Sequence, residues 1–211
     1  MKITKIIINN FRFLESPEIY LDDAVTLIVG RNNSGKTSLT EIFYKFVGFE
    51  KSLFRFEDFS ISTYDKLRKA VGKYKECEEA RAKPEEEQVV FQKEKYYKSL
   101  IPKIELNIFI EYEEKDNLAS LQKFIMDLDP ARKDALISCE FAANNPKNIM
   151  TGFLSQETKY KGDIIDFLST NYKTFFKETI YTVDSASPDN SRIEKRSGTV
   201  QGEDTETRVA A

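Results

Sequence analysis

Apolar residues recur along the chain with two periods, and the switches between them set an order of strands and helices. Residues 3–9 form a β-branched run that reads as a first strand. Residues 17–21 read as a second, with Asp22-Asp23 as the turn that follows. Ala24-Val25-Thr26-Leu27-Ile28-Val29 is almost unbroken in its apolarity, the pattern of a strand covered on both faces. Leu39, Ile42, Phe43, Phe46 and Val47 then recur at helical spacing, which predicts an amphipathic helix running to about residue 47. Period two returns at Ile104, Leu106, Ile108, Ile110 and Tyr112, with Glu105, Asn107 and Glu111 between them, as in a strand with one wet face. Asp116 or Asn117 is placed to cap a helix carrying Leu118, Leu121, Phe124, Ile125 and Leu128, stopped by Pro130. Residues 136–141 read as a strand, residues 164–176 as a helix and residues 180–183 as a last strand.

Two stretches interrupt this order. Phe49, Phe54, Phe56 and Phe59 sit in an irregular connection, where an aromatic cluster reads as packing beneath a loop rather than as a base-stacking surface. Over residues 64–99 the composition turns to Lys, Glu, Arg and Ala, divided by Pro84. That pattern predicts a charged insertion of two helices, or of one helix and a loop. Within it, residues 66–75 form a basic stripe that includes Tyr74. The stripe fits a solvated helix face, or a contact to a DNA backbone that weakens with salt. Residues 188–211 carry almost no apolar side chains and read as a polar tail or linker, leaving residues 1–187 as one lobe.

Between the predicted strand at 24–29 and the helix after it lies Gly30-Arg31-Asn32-Asn33-Ser34-Gly35-Lys36-Thr37, a complete G-x-x-x-x-G-K-[ST] phosphate-binding loop. Four fixed positions make a chance match in a chain of this length about one in a hundred, before the strand–loop–helix context is counted. The glycines let the chain curl so that successive N–H groups, from about Asn33 to Ser38, point inward. They form an anion nest continuous with the positive end of the helix dipole. Lys36 is the candidate catalytic residue, reaching the β- and γ-phosphates. The Thr37 hydroxyl is the candidate Mg²⁺ ligand. Gly30, Asn33, Ser34, Gly35, Lys36, Thr37 and Ser38 together make the predicted cofactor site, and ATP with Mg²⁺ is the predicted occupant.

Composition narrows the remaining chemistry. With 32 basic and 35 acidic residues the net charge is −3, so no overall field draws the chain to nucleic acid or to a membrane. There is no histidine, which excludes His-based acid–base catalysis, Ser-His-Asp and Cys-His triads, and His-ligated zinc. Cys77 and Cys139 have no metal-ligand spacing, residues 1–11 lack the apolar core of a signal peptide, and no run approaches a membrane span. These absences predict a reduced, cytoplasmic protein with no membrane partner.

The P-loop class is set by the loop's surroundings. No Asn-Lys-x-Asp guanine reader is present, and two strands precede the P-loop strand, unlike a small nucleoside kinase. Ile8-Asn9-Asn10-Phe11-Arg12, followed by a strand and then residues 25–42, resembles the start of RecF/SMC-type ABC ATPases. The Asn32-Asn33-Ser34-Gly35-Lys36-Thr37 form is similar to the OLD (overcoming lysogenization defect) family and related AAA15-type ATPases. The resemblance is specific over residues 3–47. It implies an α/β P-loop NTPase fold, an ABC-type head lobe with a mixed sheet and the charged helical insertion. It also implies that Arg12 lies near the nucleotide, at the edge of the site, although a surface or fold-supporting role is the simpler reading of Arg12. Glu41 matches a common helix glutamate, and its spacing to Lys45 predicts an i,i+4 surface pair.

The departures matter as much. ABC-type hydrolysis needs a strand ending in Asp-Glu and a Ser-Gly signature motif from a second subunit, and this chain has neither. Ile108-Phe109-Ile110-Glu111 has no Asp before its Glu and alternates like an edge strand. Asp163, Asp166, Asp184 and Asp189 are scattered rather than arranged as a nuclease cluster. The chain therefore reads as the N-terminal lobe of such a head, incomplete for hydrolysis alone. The implied partners are a second ATPase head, with DNA or a nuclease effector carried elsewhere. Two alternatives remain: a non-catalytic P-loop interaction module, and a generic RecF-like DNA-repair ATPase lobe.

Overall fold

The computed structural model describes residues 1–32, 34–48, 53–83, 86–117 and 133–183. In chain order these form β1 (Lys2–Asn9), β2 (Glu18–Tyr20), α1 (Lys36–Val47), two 3₁₀ turns (Phe56–Asp58 and Ile61–Thr63), α2 (Tyr64–Ala82) and α3 (Glu87–Ser99). After them come β3 (Ile104–Glu111), β4 (Asp134–Ala143), α4 (Pro146–Leu154), α5 (Ile164–Phe175) and β5 (Phe176–Val183). The strands make one sheet in the order β2-β1-β3-β4-β5. Every pairing in it is antiparallel. The helix predicted around Leu118–Leu128 and the tail at 188–211 lie outside the described residues. Asp116 accepts from the Glu113 N–H at 2.8 Å and pairs with the N-terminal ammonium.

The sheet is organised around β3. Its Ile104, Leu106, Ile108 and Ile110 point to a covered face while the residues between them are half-exposed, as the alternation requires. β3 is nonetheless a central strand, not an edge. Both neighbours pair along it, and its wetter face is satisfied across the sheet, with Ser138 donating to Asn107 Oδ1 at 2.6 Å.

On the covered face an aromatic cluster fills the space beneath α1 and α5. Phe54 stacks on Phe141 at 4.8 Å between centroids, and Phe59 lies against Phe141 and Phe176 at 5.8 and 5.3 Å. Phe54, Phe56 and Phe59 are all buried, so these rings from the irregular connection are core. Phe49 is outside the described residues.

Helix α4 was not evident from periodicity, being only nine residues long. Its start is nonetheless written locally: the Asn145 side chain accepts from the Lys147 N–H at 2.9 Å and Pro146 occupies the first turn. In α5 the Asp163 carboxylate caps the Ile165 N–H at 3.0 Å and meets Arg68 of α2 at 3.1 Å. Asp163 is thus a structural cap and not merely a solvated charge.

The charged stretch forms two helices packed on each other, with Tyr74 against Tyr97 at 5.2 Å. Tyr74 is buried and so is absent from the basic face. Arg68, Lys73 and Lys75 pair with Asp163, Glu76 and Glu157. These pairings favour the solvated-face reading of the stripe.

The main departure concerns residues 24–29. No strand forms there, and Val25, Leu27 and Val29 are 77%, 82% and 78% exposed. Apolarity marks what a segment is suited to bury, but pairing requires a neighbouring strand. The described edge strands β2 and β5 do not take this segment up. The sheet is therefore antiparallel over the described residues, not mixed. α1 shows the same imbalance: Ser38, Ile42, Lys45 and Phe46 are buried, whereas Leu39, Phe43, Tyr44 and Val47 line an open groove of about 550 Å³.

Two stability effects follow from this packing. Phe54→Ala removes the ring shared by Phe46, Phe11 and Phe141 and lowers the unfolding free energy by about 3–5 kcal/mol in denaturant titration. Leu27→Asp changes it by less than about 0.5 kcal/mol, because its side chain faces water. A loss of several kcal/mol from Leu27→Asp would place the run in this lobe's own core.

Candidate functional site

The turn after β1 is the first wall of the site. Phe11 and Leu14 exchange backbone hydrogen bonds at 3.0 and 2.8 Å, and Asn10 N–H donates to Glu15 at 2.9 Å. Asn10 and Arg12 take positive φ angles of 58° and 51°. Asn tolerates that region; for Arg12 it persists because the residue is fixed from several sides. Its N–H donates to the Asp58 carbonyl at 2.8 Å, and its carbonyl accepts from Ser60 Oγ at 2.6 Å. Its guanidinium meets the Asp58 carboxylate at 2.9 Å and also pairs with Glu41 of α1.

Asp58 is the hub of this arrangement. Its second oxygen accepts from Lys45 Nζ at 3.0 Å and from the Arg55 N–H at 2.9 Å. The Lys45 and Asp58 side chains are only 6% and 4% exposed. Lys45 also donates to the Leu53 carbonyl at 3.0 Å. The expected Glu41–Lys45 surface pair is not what forms: Glu41 turns to Arg12 and Lys45 to Asp58. Helical spacing allows i,i+4 contact, but a buried carboxylate draws the nearer cation more strongly than an exposed one. Beside this network, Arg12, Glu41, Tyr44, Lys45, Arg55 and Tyr172 line an open cavity of about 600 Å³.

The Gly30–Lys36 region forms the second wall. Gly35 stands at the start of α1 with φ 87° and ψ 5°, a left-handed conformation natural to glycine. A Cβ there would also lie 2.9 Å from Leu14 Cδ2, so the turn and the loop touch at the one residue that has room. A Cβ on Gly30 would fall 2.6 Å from Ser34 Oγ. Lys36 folds back into the loop, its ammonium donating to the carbonyls of Gly30 and Arg31 at 2.6 Å each and to Ser34 Oγ at 3.3 Å. No side chain among the described residues caps α1, and its first turn holds no acidic residue. The helix thus presents its first-turn N–H groups and positive dipole end at the loop.

The predicted residues are thereby placed. Gly30, Ser34, Gly35 and Lys36 are brought together in the loop. Thr37 is exposed at the helix start, and Ser38 turns its side chain into the core while its backbone remains in the first turn. Asn33 lies outside the described residues. Arg12 joins the site's wall through Glu41 and Asp58. Sequence reasoning did not single out Asp58 or the buried role of Lys45. Among the described residues there is no cluster of three or more His, Cys, Asp or Glu side chains suited to a metal, and no helix is long and apolar enough to cross a membrane.

Residues 1–207 match the model of the AAA ATPase domain family, and the chain belongs to that family. Its class is that of P-loop NTPases, α/β in content with an open antiparallel sheet, and membership implies nucleotide binding. The chain is also similar to the DNA replication and repair protein RecF of Actinobacillus succinogenes, 43% identical over 67 residues, 31% of this chain and 18% of that protein. It is 53% identical over 45 residues to the RecF of Actinobacillus pleuropneumoniae serotype 5b, 21% of this chain and 12% of that protein. The matched stretches thus span less than one-fifth of the length of these relatives.

The site's dependence on Asp58 is open to direct measurement. Asp58→Asn leaves Lys45 buried without its counter-charge and destabilises the protein by about 3–5 kcal/mol. A change below 1 kcal/mol in denaturant titration would show that the pair is not the hub described.

Proposed function

We propose that the chain is the ATP-binding N-terminal lobe of an OLD/AAA15-like ABC ATPase working in DNA processing. The observation that carries this reading is the joined geometry of Gly35 and Lys36: a left-handed glycine opening α1, and an ammonium already held inside the loop by carbonyl oxygens. An ammonium that donates to neutral carbonyl oxygens donates more strongly to anionic phosphate oxygens, since both partners are then charged. Gly30, Asn33, Ser34, Gly35 and the first turn of α1 through Ser38 would hold the phosphates by backbone N–H groups, with Lys36 at the β- and γ-phosphates and Thr37 toward Mg²⁺. Mg²⁺, when bound, neutralises charge between the β- and γ-phosphates. Arg12 borders this site while it supports the fold, its guanidinium held by Glu41 and Asp58.

The lobe is incomplete for hydrolysis. The exposed apolar run at 24–29 and the open face of α1 support this, because together they offer a two-sided surface for a further sheet carrying the water-orienting carboxylate. We infer that this sheet comes from the remainder of a full head. A second head would then close over the nucleotide and gate a DNA-bound or nuclease partner. The RecF likeness supports DNA repair as the setting, and the OLD-like loop sequence supports anti-phage defence as the alternative.

Lys36→Ala is expected to lower Mg·ATP affinity by roughly one to two orders of magnitude, the worth of hydrogen bonds made to a charged group. Equilibrium titration with a fluorescent ATP analogue reads this directly. Unchanged affinity in the variant would remove the loop from the site.

A further inference from the structure

The open cavity of about 600 Å³ beside Asp58 is walled by separate parts of the chain. The middle of α1 gives one side, Arg55 another, and the last turn of α5 brings Tyr172 and Lys173. Its floor is fixed: Lys45 and Asp58, with side chains 6% and 4% exposed, hold each other at 3.0 Å. Arg12 is matched by Asp58 and Glu41. Arg55 and Lys173 differ from these. Both are exposed, and neither pairs with a carboxylate among the described residues. Four cations against two carboxylates leave this lining with two surplus positive charges. Two tyrosine rings complete the wall, Tyr44 at 62% exposure and Tyr172 half-buried against the core.

We propose that this cavity is a second nucleotide site, separate from the phosphate loop. It takes a nucleoside monophosphate unit, with the phosphate between Arg55 and Lys173 and the base against the tyrosine rings. A phosphate monoester carries about −1.5 to −2 charges at pH 7, which matches the surplus. The floor carboxylate does not oppose it, because Arg12, Lys45 and the Arg55 N–H already neutralise and satisfy Asp58. A cleft with surplus charge of one sign on a fixed floor concentrates the opposite ion, and arginine adds charge-assisted hydrogen bonds to phosphate oxygens. The rings account for a base as well as a phosphate, since every base offers a π-face to stack on an aromatic side chain. Tyr44 and Lys45 stand eight and nine residues beyond Lys36, about 12–13 Å along α1. The inference therefore does not depend on the loop holding a triphosphate. The same unit occurs as a free nucleotide and as a step of a single strand, and the shared chemistry is a base joined through its sugar to a phosphate.

The test is equilibrium titration with AMP, with ribose 5-phosphate, which lacks the base, and with a single-stranded oligothymidylate. Wild-type and Lys36→Ala proteins are expected to bind AMP alike, roughly five- to a hundredfold more tightly than ribose 5-phosphate, the range that base–aromatic stacking supplies. Arg55→Gln and Lys173→Gln each weaken AMP binding roughly tenfold, the worth of a hydrogen bond to a charged group at an exposed position. Lys95→Gln removes the same charge from α3, outside the lining, and leaves affinity unchanged. Unaltered thermal unfolding of the three glutamine variants confirms that exposed side chains were changed without loss of fold. AMP binding with this dependence identifies a free nucleotide as the source. Binding of the oligothymidylate alone, with the same dependence on Arg55 and Lys173, identifies a strand. The site is overturned if neither ligand binds, if Arg55→Gln and Lys173→Gln have no effect, or if Lys95→Gln weakens binding equally. Loss of AMP binding in Lys36→Ala places the nucleotide in the loop and overturns the second site, while leaving the loop reading intact.

Discussion

A carboxylate almost cut off from water must be neutralised by the groups around it, and the Asp58 side chain meets two cations and a backbone N–H within 3.0 Å. Those partners come from different parts of the chain: Arg12 from the turn after β1, Lys45 from the middle of α1, Arg55 from the segment that delivers Phe54, Phe56 and Phe59 to the core. The ion cluster thus fixes the orientation of α1 against the sheet. α1 in turn carries Gly35 and Lys36 at its start, so the loop inherits its placement from a charge network about two helical turns away. Without that constraint, an apolar helix with a half-open groove would have little to choose between rotations about its own axis.

Strands β1 and β3 and helices α1 and α5 were legible in the sequence because each carries a whole face of its periodicity within its own residues. The phosphate loop was legible because its glycines are required by local backbone geometry, which does not depend on distant partners. Pairings between remote residues were less accessible. Glu41 and Lys45 are neighbours on one helix, yet each is claimed by a residue that is remote in sequence, Arg12 or Asp58, and only the fold brings those together. Asn145-Pro146 announced α4 in plain form, and a search for caps instead of periods would have found it.

The run at 24–29 is instructive for a different reason. Its composition describes a strand buried on both sides, but the described lobe leaves it in solvent. Sequence apolarity reports the environment a segment is suited to, and that environment need not be supplied by the same set of residues. The open groove along Leu39, Phe43 and Val47 makes the same point from the neighbouring helix. Together they show how a chain can belong to an ATPase family while its described residues leave apolar surface uncovered on either side of the loop.

The central claim is that the curl from Gly30 into the first turn of α1 receives a triphosphate through its backbone. Amide hydrogen exchange, followed residue by residue with and without Mg·ATP, tests it most directly. The account predicts that the N–H groups of residues 34–38 become strongly protected on adding Mg·ATP and not on adding adenosine. Protection confined to other segments, or equal protection by adenosine, would contradict it.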